Sequence, residues 1–195
     1  MAPDLLDLLK ESGALLEGHF LLTSGRHSDR YVEKFRLLEQ PAALDRVAAA
    51  AVAGVPPDEI DVVLGAAVGG ILLAGAVARL LGRRIMFTER VDGAMTLRRG
   101  FALAPGERVL IVDDIVTTGG SIKELLDVVD RAGAAVHSVV CIVDRSAGDI
   151  DIAATKRALV RLPMTSWSPE NCPLCKAGVP LTERGRSGRG APAGK

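Results

Sequence analysis

The chain has no surplus of charge of either sign: Lys+Arg and Asp+Glu each number 24 in 195 residues. That balance excludes a protein-wide polyanion-binding surface of the nucleic-acid type. Cysteine is scarce, and its three residues, Cys141, Cys172 and Cys175, are too few for a disulfide scaffold at this length. The opening stretch MAPDLLDLLKES sets two acids before its first base and lacks the basic region of a secretory signal. Long apolar runs are short of a membrane span as well. Val62 to Ala78 passes seventeen residues without a charge, at the lower edge of such a span, but it carries Gly65, Gly69, Gly70 and Gly75 and is closed by Asp61 and Arg79. A buried strand, a glycine turn and a packed helix explain it better, so a soluble cytoplasmic protein is expected.

What is present is ordinary globular material: 48% apolar residues, enough for a sizeable core, and 25% charged ones. The length favours one domain with small appendages. The zero net charge is a sum of unlike parts. The last twelve residues, Arg184 to Lys195, hold four basic side chains and no acid, so residues 1–183 carry a net −4. Arg79 to Arg108 holds seven basic residues against three acids, a local concentration of the kind that small anions need. The composition of 184–195 is that of a disordered tail, which leaves 1–183 as the domain: a small N-terminal element over about 1–40, a core over about 41–163 and a C-terminal segment over 164–183.

Apolar spacing predicts a helix over Asp4–Leu16, short strands over His19–Leu22 and Tyr31–Leu38, and a helix over Pro41–Ala53. A β/α alternation then sets in: strand Ile60–Leu64, helix Gly70–Leu81, strand Arg84–Thr88, strand Arg108–Val112, helix Ser121–Ala132, strand Val136–Val143 and strand Arg157–Leu162. Glu89 to Gly106 is polar, glycine-bearing and shows no clear period. Alternation of this kind implies an α/β fold with a parallel sheet covered on both faces.

The most informative run is Val109-Leu110-Ile111-Val112-Asp113-Asp114-Ile115-Val116-Thr117-Thr118-Gly119-Gly120-Ser121. Two adjacent carboxylates stand where a buried strand should end, the place where open parallel sheets bind ligands. A hydroxyl- and glycine-rich turn then enters a helix, and hydroxyls, glycines and free N–H groups at a helix N-terminus make a phosphate cradle. The run is neither a Walker A loop, which needs Lys between the glycine and the hydroxyl, nor a G-x-G-x-x-G fingerprint. Paired carboxylates suit a polyhydroxyl group or a hydrated Mg²⁺.

These residues resemble the 5-phosphoribosyl-1-diphosphate (PRPP) signature of the type I phosphoribosyltransferases. The resemblance implies that family's parallel β-sheet flanked by helices, with a small N-terminal hood. It also implies Asp113 and Asp114 on the ribose hydroxyls, Ile115 and Val116 in the site, and Thr117, Thr118, Gly119, Gly120 and Ser121 on the 5-phosphate. Three further matches narrow it to the orotate phosphoribosyltransferases. The turn Leu22-Thr23-Ser24-Gly25-Arg26-His27-Ser28-Asp29-Arg30-Tyr31 is similar to the hood element. Val143-Asp144-Arg145 falls where the family clamps the orotate carboxylate, a task for a forked guanidinium, and the resemblance adds Thr117 and Tyr31 to that subsite. Leu64-Gly65-Ala66-Ala67-Val68-Gly69-Gly70 falls at the pyrophosphate loop, with Ala67 to Gly70 as its contact residues. The activity implied is transfer of the phosphoribosyl group to orotate, with Mg²⁺ carried by PRPP and no metal ligand assigned to the protein.

The chain also departs from the pattern. Thr23 and Gly69 stand where many orotate enzymes have lysines. Glu89 to Gly100, in the place of the mobile catalytic loop, is shorter than the common form and lacks its Lys and His cluster, offering Arg90, Arg98 and Arg99. Arg90, Asp113 and Asp114 are the expected catalytic residues, and Arg90 is also expected to bind PRPP, serving the neighbouring subunit of a homodimer. A purine-base phosphoribosyltransferase would share the PRPP site but make the hood turn and Arg145 coincidences. A PRPP-sensing regulator would need an added nucleic-acid-binding element, for which the residues before the hood turn are too few.

Other features are expected to be plainer. Cys172-Pro173-Leu174-Cys175 is a single C-x-x-C with no second pair, and the three histidines, His19, His27 and His137, lie far back in sequence. Zinc needs four ligands as a rule, so a tight C-terminal turn or a redox-sensitive pair is favoured over a metal site. Cys141 is expected in the core, His27 as an exposed turn residue, and Trp167 as a packing anchor.

Overall fold

Leucines at helical spacing open the chain as α1 (Leu5–Glu11) in the computed structural model, which describes residues 5–184 apart from 147, 149 and 153. The helix stops short of the expected Leu16 because Gly13 takes a left-handed conformation (φ +68°) and the Ala14 N–H turns back to the Leu9 carbonyl. Leu15 and Leu16 therefore begin strand β1 (Leu15–Leu21). A tight turn with Gly25 at φ +76° leads into β2 (His27–Val32), antiparallel to β1. Of the strand expected over 31–38, only Tyr31 and Val32 are extended, as the end of β2. β2 ends at Val32, and α2 (Lys34–Leu38) follows, burying Leu37 and Leu38 near α3 (Pro41–Val52), whose first position is the expected proline.

The uncharged run resolves into β3 (Val62–Ala66), a turn and α4 (Gly69–Leu81), the last stopped by Gly82 at φ +65°. Among the described residues no helix is long and apolar enough to cross a membrane. β4 (Arg84–Val91) and β5 (Ala94–Leu97) form an antiparallel hairpin inside the segment that showed no period. Asp92 and Gly93, both at positive φ, make its two-residue turn, and Asp-Gly is a signal for such a turn. β6 (Arg108–Val116), α5 (Gly120–Arg131), β7 (Ala135–Asp144) and β8 (Lys156–Arg161) continue the alternation. The chain then returns to its beginning through β9 (Ser166–Trp167), the short helix α6 (Pro173–Lys176) and β10 (Thr182–Glu183).

The large sheet has the order β5-β4-β3-β6-β7-β8, parallel except for the β4/β5 pair. Period-two alternation divides its core: Leu110 and Val112 of β6 join the cluster under α1 to α4, while Val109 and Ile111 join the one under α5. Side chains of this size contribute about 1.5–3 kcal/mol each when fully buried, and β6 buries these four completely. Cys141 is fully buried in the second cluster, as expected, and burial pushes its thiol up to about 12.

The hood is a second sheet, order β10-β1-β2-β9, so the C-terminal segment supplies both of its outer strands. Trp167 pairs with His27 across β9 and β2. His27 is consequently buried, at 5% exposure, and not the exposed turn residue expected. The absence of a histidine near Cys172 and Cys175 also fails in space, since His19 and His27 both face the pair. Of the basic tail, Arg184 pairs with Glu33 at 3.8 Å; residues 185–195 lie outside the described residues.

Candidate active site

After β3 the chain crosses to β4 on one side, while β6 lies on the other, so the strand order reverses between β3 and β6. The crevice beyond the carboxyl ends of these two strands is where such a sheet binds ligands. Asp113 and Asp114 stand at its edge. They lie within β6 and not beyond it: the strand runs to Val116, past the expected end at Val112, because β7 keeps pairing as far as Val116↔Asp144. The two carboxylates are 6% and 5% exposed. Asp113 Oδ1 accepts from the Asp114 N–H at 2.9 Å, and Asp114 Oδ1 from the Ile115 N–H at 2.7 Å. Burial first, and the neighbouring Asp114 second, push the Asp113 carboxyl up to about 7.

Beyond the acids, Thr117, Thr118 and Gly119 lead into α5 and line a cavity of about 230 Å³ with Gly120, Ser121 and Glu124. Gly119 holds φ +79°, and a Cβ there would lie 2.5 Å from Ile150 Cγ2, so glycine is required on two counts. The first N–H groups of α5 open toward this cavity, next to three hydroxyls, in the arrangement that receives a phosphate.

The β3–α4 junction, Ala67, Val68, Gly69 and Gly70, lies on the other side of Asp114 and contains a cis Ala67–Val68 peptide. Its glycines allow two close approaches. A Cβ on Gly65 would lie 2.4 Å from the Gly70 carbonyl oxygen, and one on Gly69 would lie 1.8 Å from Asp114 Oδ2. The space left by Gly69 is taken from another direction. Lys34, at the start of α2, reaches in with Nζ 2.6 Å from Asp114 Oδ2 and Cε 3.2 Å from where the Gly69 Cβ would stand. Sequence reasoning noted the lysine missing at Gly69 but not Lys34, thirty-five positions earlier, as the one that brings an ammonium to this place. Nothing in the linear pattern Glu33-Lys34-Phe35 marks it.

Arg145 follows the last residue of β7, and its backbone N–H donates to the Val116 carbonyl at 2.8 Å, anchoring it beside the end of β6. Its Nε–H is buried with no acceptor among the described residues, the kind of orphaned donor that a native structure rarely leaves without purpose. Burial lowers its proton affinity, while Tyr31 of β2 raises it; Tyr31 is itself pushed up by burial and by Glu33. The hood residue and the end of β7 are thus within electrostatic reach of each other. Arg90, on β4, donates to Glu124 Oε1 at 2.8 Å, and the other Glu124 oxygen accepts from the Met95 N–H at 3.2 Å. That ties the hairpin to the wall of the cavity, a connection through Glu124 that the sequence did not announce. Arg99 pairs with Glu89 at 2.9 Å within the hairpin.

Residues 36–168 match the phosphoribosyl transferase domain family. The chain is 48% identical to the orotate phosphoribosyltransferase of Heliobacterium modesticaldum, over 92% of this chain and 95% of that protein. It is 43% identical to that of Chlorobium phaeobacteroides, over 94% and 95%. Among solved structures, orotate phosphoribosyltransferase from Aeropyrum pernix superposes with a TM-score of 0.70 at 27% identity, covering 81% of this chain and 93% of that one.

Proposed function

The chain belongs to the orotate phosphoribosyltransferases, and from that premise we propose how its own residues divide the work. The reaction transfers the 5-phosphoribosyl group of PRPP to orotate, giving orotidine 5′-monophosphate and pyrophosphate for pyrimidine synthesis. The observation that carries our assignment is the juxtaposition of a buried carboxylate pair, a helix-N-terminal cavity and an orphaned guanidinium donor around one crevice.

Thr117 to Ser121 hold the 5-phosphate through hydroxyls and the N–H groups opening α5. Asp113 and Asp114 accept from the ribose hydroxyls and fix the sugar relative to the attacking base. Arg145 takes the orotate carboxylate through its forked donors, with Tyr31 and Thr117 completing that subsite. Ala67 to Gly70 line the path of pyrophosphate, and Lys34 supplies the positive charge beside Gly69 while holding Asp114 in place. Displacement at the anomeric carbon passes through an oxocarbenium-like state in which negative charge grows on the leaving group. Arg90, once released from Glu124, meets that charge on the partner's leaving group. The donors around the cavity are carboxylate and hydroxyl oxygens with no soft ligand, which fits a hard cation brought in on substrate phosphates. Asp113 and Asp114 would accept from the water shell of Mg²⁺ arriving on PRPP, which when bound would supply positive charge to the departing pyrophosphate. We read the enzyme as a cytoplasmic homodimer in which the β4–β5 hairpin lends Arg90 to the partner's site.

Steady-state kinetics of Arg145→Ala test the base assignment. The KM for orotate should rise roughly 10- to 100-fold, the loss of a charge-assisted contact, with the KM for PRPP little changed. Equal losses for both substrates would refute the clamp.

A further inference from the structure

We propose that His19, His27, Cys172 and Cys175 form a closed zinc site that pins the C-terminal segment onto the hood. The four ligand atoms lie within 4.8 Å of one another, and three of the four residues are buried. His19 Nε2 is 3.0 Å from His27 Nδ1, 3.4 Å from Cys172 Sγ and 3.7 Å from Cys175 Sγ, and Cys175 Sγ is 3.2 Å from His27 Nδ1. A tetrahedron with ordinary Zn–N and Zn–S bonds has edges of about 3.3 Å between nitrogens and about 3.6 Å between nitrogen and sulfur. These four of the six edges fall within about 0.4 Å of those values, and no edge exceeds 4.8 Å.

Hydrogen bonding alone does not account for this convergence. The Val179 carbonyl, 2.8 Å from His19 Nδ1, can only accept, so Nδ1 carries the proton and Nε2 presents a single lone pair. Three groups crowd toward that lone pair, and it can take a proton from only one of them. A shared cation satisfies all four atoms together. The Val179 contact is also what a metal-binding histidine needs from its other nitrogen, since it fixes the tautomer and aims the ring.

Two thiolates and two imidazoles select zinc over the hard cation used in the reaction. Binding releases the two thiol protons, and the resulting charge is neutral overall. All four positions are protein ligands, which makes the site structural and not catalytic. Its place in the fold supplies the reason for it. β9 and β10 are two residues long each, and a hairpin such as β1–β2 is marginal by itself. A β-bulge between Glu17 and Phe20 lets His19 and Phe20, neighbours in sequence, both be buried, so that His19 turns toward the cysteines.

The test is metal content, a readout independent of the transferase assignment. Protein expressed with zinc and purified without chelator should hold one zinc per chain. Cobalt exchanged into it should show thiolate charge-transfer and tetrahedral d–d absorption. Cys175→Ser alters the one exposed ligand and spares the packed ones; it should lose the zinc and both cobalt features. Chelation should lower the Tm of the unaltered chain by roughly 5 °C or more and leave that of Cys175→Ser unmoved. Zinc-free protein with no cobalt bands would overturn the proposal. So would a Cys172–Cys175 disulfide seen by mass, or zinc retained by Cys175→Ser.

Discussion

Replacing Asp113 with Asn should stabilise the folded chain at alkaline pH while destroying its activity. The reason is the position of the carboxyl, buried beside Asp114 and held up to about 7, against about 3.9 in an unfolded chain. From about pH 4 to pH 7 the unfolded carboxyl is ionised and the folded one is not, so each unit of pH moves the balance toward unfolding by about 1.4 kcal/mol. Stability from this group is complete in acid and is lost as pH rises toward the folded value. Between pH 5 and pH 8 the loss is on the order of 2–3 kcal/mol. Asn is isosteric, keeps an acceptor for the Asp114 N–H and cannot ionise, so it escapes that loss. Contributions of residues away from Asp113 are common to both chains and cancel in the difference. Urea denaturation of both proteins without substrate, at pH 5 and pH 8, should show the variant gaining on the order of 2–3 kcal/mol on the parent, equivalent to roughly 5–10 °C in Tm. A difference that stays constant across that range, or one that moves toward the parent, would refute the reasoning.

Other substitutions separate the remaining roles. Lys34→Ala removes the cation 2.6 Å from a buried carboxylate and should cost about 1–3 kcal/mol of stability by denaturant titration, with a higher KM for PRPP. The glycines of the β3–α4 junction should divide. Gly69→Ala meets Asp114 Oδ2 and the Lys34 stem, so it should raise the PRPP KM as well as lower the Tm. Gly65→Ala meets the Gly70 backbone and should cost about 1–3 kcal/mol of stability. If Arg90 serves the partner's site, mixing inactive Arg90→Ala and Asp113→Asn chains should restore about a quarter of the parental activity, because half the dimers are mixed and each has one whole site. No recovery after verified subunit exchange would return Arg90 to its own chain.

Much of this could be read from the sequence because it is local. Val109 to Ser121 places strand, acids, loop and helix start in one contiguous run, and its chemistry survives being read as text. The parallel sheet was legible for the same reason, from the period of each segment and the glycines that stop the helices. What failed was of two kinds. Short elements were misjudged where a single backbone conformation decides them: Gly13 ends α1 early, and Asp92-Gly93 makes a hairpin out of what looked like irregular chain. Long-range meetings left no trace at all. His19 and Cys172 are 153 positions apart, and Lys34 reaches Asp114 from a different element; only the closed fold shows that they are neighbours.

The hood sheet is stitched from both ends of the chain, and that has a consequence for biosynthesis. β1 and β2 leave the ribosome first, but their outer partners, β9 and β10, are among the last described residues to appear. The six-stranded sheet, with its acids and phosphate cradle, can be assembled while Tyr31 still sits on an unsupported hairpin. A chain cut off before Ser166 would therefore carry the whole of the Val109–Ser121 run and yet lack the outer strands of the hood, on which the proposed orotate side rests. Closing the hood, and with it the proposed orotate side, thus waits for the segment from Ser166 to Glu183.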